Sequence, residues 1–196
     1  MKFLTKNPQS PILTDGLTYQ ENKAKNNAIL RDRLVKEQKH FCAYTERYIK
    51  GLDSPEVEHF DSSKKYRDDY FNYFAVLRKP NLYKKDEQYK NHTFFQTLFF
   101  HDKTAFERRI QYKDGIYYEV EETDVEARDF IDFLGFNNDL LFKERSNHLN
   151  RLKSIFRYFN DDEKLAFFNT HKEELSFITA LEIELGLDFS EILTML

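Results

Sequence analysis

The pattern of apolar and polar positions changes character partway along the chain. In the first two thirds, short apolar runs are separated by polar stretches and turn residues. From Asp124 onward, apolar residues recur at three- and four-residue spacing. Residues 1–20 carry Pro8, Pro11 and Gly16 and read as an extended arm. Ala24, Ala28, Leu30, Leu34 and Val35, set among Lys, Arg, Asn and Gln, predict an amphipathic helix over 21–40. Next come Phe41-Cys42-Ala43-Tyr44, a short strand, then a turn at Gly51 and Asp53-Ser54-Pro55, then Val57-Glu58-His59-Phe60 as the returning strand of a hairpin. Residues 61–70 read as a loop, and the apolar run 71–77 fits either a strand or a helix. Pro80 before Asn81 opens a helix over 81–91, with Asn81 in a natural capping position. The runs at 94–100 and 116–121 read as strands, with Asp114-Gly115 as the turn between them. Helices follow at 124–134, closed by Gly135, and at 138–158, 161–169 and 171–185, the last closed by Gly186. A short helix covers 188–195.

The mix of short strands and helices predicts an α+β class, and the few Gly and Pro favour helices. With 196 residues the chain makes one domain, or a small catalytic unit wrapped by helices. The organisation expected is an arm and helix over 1–40, a core over 41–91, a strand-like connector over 92–122 and a helical region over 123–196. The 20 Phe and 12 Tyr, with no Trp, point to an aromatic core. Cys42 is the only cysteine, which excludes an internal disulfide and any zinc site built on thiolates, and suits a small buried side chain. The polar N-terminus and the lack of an apolar run of about 18 residues point to a cytoplasmic protein with no membrane partner.

Charge narrows the partners. The net charge of −4 does not by itself grip nucleic acid, so basic residues must cluster or a partner must help. Between Ser62 and Lys90 there are eight Lys and Arg against four acids, a plausible phosphate-facing patch. From Asp161 to Leu196 there are nine acids against two Lys, a stretch expected to face solvent or a protein partner.

One series stands out against this background. Glu58-His59 ends the returning strand, Asn72 follows His59 by 13 residues, and Asn81 follows Asn72 by 9. Each has a plainer use: a histidine at a strand end, asparagines as caps or turn residues, Lys64-Lys65 and Lys84-Lys85 as solvated faces. Taken together the spacing resembles the HNH (ββα-metal) endonuclease family. The family's pattern runs from a CxxC knuckle to an acid–His pair, an aromatic-x-Asn stretch, a second CxxC, and Asn with Lys three residues on. Here Cys42-Ala43-Tyr44-Thr45, Glu58-His59, Tyr70-Phe71-Asn72-Tyr73, Leu77-Arg78-Lys79-Pro80, Asn81 and Lys84 take those places.

The resemblance implies a small ββα-metal core, with the N-terminal helix before it and a helical bundle after it. His59 would be the general base, with Glu58 and Asn81 as ligands of one Mg²⁺ or Mn²⁺. Asn72 would brace the loop and orient His59. Arg78, Lys84 and Lys85, and more loosely Lys64 and Lys65, would meet phosphates of DNA or RNA, and Tyr66 or Tyr70 would stack on a base. Only Cys42 survives of the four knuckle positions, so no structural zinc is expected. Packing of Tyr44, Phe60 and Leu77 must hold the unit together. Further matches are LVKEQKHFCAYTER at 34–47, Asp114-Gly115-Ile116, and Phe133-Leu134-Gly135-Phe136-Asn137 followed by Leu140-Leu141 and Arg145. These resemble the Septu-type branch from anti-phage systems, over roughly residues 30–150. That branch implies an effector subunit working with a PtuA-like ATPase subunit, with a homo-oligomer inside the complex as one possibility. A catalytically inactive relic kept as a scaffold, and a toxin-like RNase, are the alternatives the pattern leaves open.

Overall fold

The computed structural model describes residues 1–65 and 69–196. Tyr66, expected beside the site, lies outside the described residues, as do Arg67 and Asp68 of the charged stretch. The fold is α+β, with two small antiparallel sheets.

The N-terminal segment is not an extended arm. It buries Met1, Phe3 and Leu4, and Phe3 stacks on Phe41 at 4.7 Å between ring centroids. Ser10 caps a one-turn helix, α1 (Pro11–Thr14), through Ile12 N–H at 3.0 Å. The predicted amphipathic helix is α2 (Ala24–Glu37), which turns Leu30 and Leu34 inward.

The hairpin forms, but with a different partner. β1 (Pro55–His59) pairs antiparallel with β2 (Tyr73–Leu77), in a register running from Pro55↔Leu77 to His59↔Tyr73. Residues 41–44 make no strand, because positive φ at Lys39, His40 and Glu46 curls this stretch on both sides. They lie instead along the free edge of β2. Ala43 N–H donates to Ala75 O at 3.1 Å, and the buried Gln38 amide both donates to Ala75 O and accepts from Ala75 N–H, each at 2.8 Å. The edge of β2 is thereby satisfied without a third strand.

Beyond β2 the chain closes into a single turn, α3 (Arg78–Asn81), and the helix expected over 81–91 does not form. The run 94–100 is helical rather than extended: α4 (Phe94–Thr97) is followed by a 3₁₀ turn, Phe99–His101. That curl sends Phe94, Phe95, Phe99 and Phe100 all into the core, whereas a strand would alternate them between two faces. After α5 (Lys103–Arg109), β3 (Ile110–Lys113) pairs with β4 (Ile116–Glu119). Asp114 and Gly115, both at positive φ, make the two-residue turn.

The helices α6 (Val125–Phe133), α7 (Asp139–Ile155), α8 (Asp161–Thr170), α9 (Ile178–Leu185) and α10 (Ser190–Thr194) follow largely as predicted. The helix expected over 171–185 is shortened, because Phe177 takes a left-handed φ of 63° at its start. The acidic C-terminal stretch is not a detached face. It contributes Phe168, Leu181, Phe189 and Ile192 to the same core as Phe3, Phe60 and Phe130. That core lies on the Phe74 and Val76 face of β2. Tyr73 and Ala75 on its other face pack against Leu30, Leu34 and Ile12. Among the described residues no helix is long and apolar enough to cross a membrane.

Candidate functional site

Strand alternation governs the geometry here. Opposite residues in an antiparallel pair share a face, so Glu58 stands on the Phe74 side and His59 on the Tyr73 side. Glu58 turns toward α3 and the residues after it. Asn81 Nδ2 donates to Glu58 Oε2 at 2.8 Å, and Lys84 donates to Glu58 Oε1. The Lys84 ammonium also donates to the His59 carbonyl at 2.7 Å and pairs with Asp86 Oδ1 at 2.9 Å. Glu58 therefore meets Asn81 on one oxygen and the Lys84 charge on the other, brought together because α3 begins where β2 ends.

His59 is buried and sits edge-on between two rings, Tyr19 at 4.8 Å and Tyr73 at 5.4 Å. Its side chain is not part of the Glu58–Asn81 cluster, and only its carbonyl reaches that face. Asn72 braces the segment leaving His59. It accepts from Asp61 N–H at 2.7 Å and donates to Asp61 O at 3.1 Å, while its own carbonyl accepts from Phe60 N–H at 2.9 Å. A side-chain amide paired with one residue's backbone on both edges behaves like a ladder rung and fixes the path of the loop.

The basic residues divide. Lys84, expected to reach phosphates, has a side chain only 1% exposed and faces inward. Lys64 and Arg78 are exposed and pair loosely with Asp61 (3.0 Å) and Glu56 (3.9 Å). Lys65 is exposed, and Lys85 reaches Asp132 at 2.6 Å from a half-exposed position. Asn81 closes α3 rather than capping a helix start; Leu77 is the residue before the turn.

Where the resemblance places a knuckle, the turn after α2 and the turn at α3 lie against each other. Leu77 N–H donates to the buried Cys42 Sγ at 3.4 Å. Tyr44, Phe60 and Leu77 share the large core cluster. A second fastening passes through Glu46, which is fully buried. Its carboxylate accepts from Lys2 N–H (2.5 Å), Thr179 N–H (2.7 Å) and Thr179 Oγ1 (2.9 Å), and its carbonyl accepts from Phe177 N–H (2.8 Å). The turn is thus tied to the start of α9 by hydrogen bonds.

Three groups at or near the site carry no signal in the sequence. Asp86 lies in an ordinary charged run, Lys84-Lys85-Asp86-Glu87. Glu46 looks like any surface glutamate. The Tyr44 hydroxyl is fully buried and has no hydrogen-bond partner among the described residues. Burial, and then the carboxylates of Glu58 and Asp86, push it well above the usual phenol range.

The donors around the Lys84 ammonium are all oxygen, two carboxylates and a backbone carbonyl, and the Asn81 amide on the far side of Glu58 would present oxygen after a half-turn of its side chain. Such donors suit a hard cation. Lys84 is itself a cation standing among them, and no group of three or more His, Cys, Asp or Glu that could hold a metal ion occurs among the described residues, so a cation here would draw on the carbonyl and amide oxygens as well. The chain matches no family model, no curated protein and no solved structure.

Proposed function

We propose that this chain is a divalent-metal-dependent phosphodiesterase of the HNH (ββα-metal) kind. It cleaves nucleic acid as the effector subunit of an anti-phage complex with a PtuA-like ATPase. The observation that carries the reading is the contact of Glu58 with Asn81, 23 residues apart, with Lys84 on the other Glu58 oxygen, at the strand position just before His59. Bound there, Mg²⁺ or Mn²⁺ would polarise the scissile phosphate and steady the departing oxygen. Glu58 and Asn81 hold that ion. His59 takes the proton from the attacking water at an imidazole nitrogen. Asn72 keeps the chain after His59 in place. Lys64, Lys65, Arg78 and Lys85 meet backbone phosphates, which carry no base identity and leave DNA and RNA both open.

Glu58 and His59 stand on opposite faces of β1, so the reading requires the His59 side chain to leave its place between Tyr19 and Tyr73 before base and ion can share one phosphate. The net charge of −4 favours a partner that contributes to the grip on nucleic acid.

The inward Lys84 ammonium favours a second reading, a catalytically inactive scaffold whose carboxylates are neutralised from within. One experiment separates them. The chain is purified with its ATPase partner and given Mg²⁺ or Mn²⁺ with DNA and, separately, RNA. The nuclease reading expects cleavage that falls about 10²–10⁴-fold in His59→Ala. Equal cleavage by both proteins removes His59 as the base, and no cleavage of any substrate supports the scaffold.

A further inference from the structure

Lys84 is a buried charged group that the reading above leaves without a role. Its ammonium is almost wholly removed from water, yet it is held by oxygens from three residues: the Glu58 carboxylate, the His59 carbonyl (2.7 Å) and Asp86 Oδ1 (2.9 Å). Of its three N–H donors, two make hydrogen bonds, to Glu58 and the His59 carbonyl, while Asp86 Oδ1 is met as an ion pair without hydrogen-bond geometry. The cradle is larger than the ammonium needs. The Tyr44 hydroxyl is buried nearby with no hydrogen-bond partner among the described residues, and Asn81 rests against the other Glu58 oxygen. A divalent cation takes six or more oxygens and would use what the lysine leaves idle. It cannot join Lys84 there, because three positive charges would then crowd two carboxylates at hydrogen-bond range.

We infer that Asp86 is a further carboxylate of the cation site and that the Lys84 ammonium competes with a divalent cation for the same oxygens, so the site loads only as Lys84 swings out. The inference rests on the reading of Glu58 and Asn81 as cation ligands and adds to it a residue and an internal competitor. Asp86, whose side chain is one-third exposed, marks the side from which the exchange proceeds. Once released, Lys84 stands beside the exposed Lys85, among the residues proposed to meet phosphates.

The test is Mn²⁺ binding to the full chain, read as free Mn²⁺ by electron paramagnetic resonance and as the Mn²⁺-induced rise in melting temperature. Neither readout requires cleavage. Lys84→Met is expected to bind Mn²⁺ at least tenfold more tightly than wild type. It should melt lower than wild type without metal and recover when Mn²⁺ is added. Asp86→Asn and Glu58→Gln are each expected to weaken binding at least tenfold. Should Lys84→Met fail to fold, Lys84→Gln, which keeps a polar group for the carboxylates, takes its place with the same expectation. If Lys84→Met and Asp86→Asn bind like wild type while Glu58→Gln does not, the competition and the role of Asp86 are refuted and the Glu58–Asn81 site stands. If no protein binds Mn²⁺ at millimolar concentration, both fall.

Discussion

Glu46→Gln is a sharp test of how this chain holds its site together without thiolates. Glu46 is fully buried, and its carboxylate faces only donors: Lys2 N–H at 2.5 Å, Thr179 N–H at 2.7 Å and Thr179 Oγ1 at 2.9 Å, with the Met1 amino group at 3.6 Å. Glutamine keeps the shape but replaces one acceptor oxygen with an NH₂ that must point at a donor. Hydrogen bonds to a charged group are worth about 1.5–3 kcal/mol each, and a buried donor left unpaired costs about 1–3 kcal/mol more. Removing one partner from a buried charged cluster costs about 3–5 kcal/mol in all. For a domain of this size that lowers the melting temperature by roughly 10 °C. The pH dependence gives a second handle. Burial alone pushes the Glu46 carboxyl upward, but the Met1 amino group and the N–H donors of Thr179 and Lys2 outweigh it and hold it below the usual carboxylate range. A carboxyl depressed by folding contributes stability above its unfolded value and loses it as pH falls toward the folded one. Urea unfolding at neutral pH and along the acid limb measures both effects. Wild type should lose stability on acidification, and Glu46→Gln should start lower and fall less steeply. A loss below about 1 kcal/mol, or an acid limb parallel to wild type, would show that the turn is held by packing alone.

Asn72→Ala should cost about 2–4 kcal/mol in urea unfolding, because it strands both the N–H and the carbonyl of the buried Asp61. Asn72→Asp keeps the acceptor for Asp61 N–H but sets an oxygen against its carbonyl, so it should not restore stability at neutral pH. Gly135 sits at φ +62°, where a Cβ would come within 2.9 Å of Tyr83 Cβ and 3.1 Å of Tyr83 O, whereas Gly186 at φ +66° opens onto free space. Gly186→Ala should therefore cost about 1 kcal/mol, from the left-handed backbone alone. Gly135→Ala should cost clearly more, and equal melting temperatures for the two would argue against the close approach.

Periodicity and punctuation in the sequence were enough for the α+β class, for α2 and most of the helical second half, for the Asp114-Gly115 turn, and for β1. These depend on interactions within a few residues, which composition and spacing encode directly. The resemblance drew attention to Glu58, His59, Asn72 and Asn81; the structure sets Glu58 against Asn81 and Asn72 against the loop after His59, but turns the His59 side chain to the opposite face of β1. The partner of β1 was not legible. Residues 41–44 and 71–77 are both short apolar runs, and the choice turned on Gln38 and Ala43 filling the far edge of β2. Nor was the helical path of 94–100, since a run with Phe at four of seven positions suits either period until the core shows that all four must enter it. The inward turn of Lys84, the presence of Asp86 and the pinning of Glu46 by Thr179 depend on residues up to 133 positions apart. Burial and pairing across such distances are properties of the closed chain. A charged residue carries the same letter whether it meets water or a carboxylate, and only the packed structure decides which.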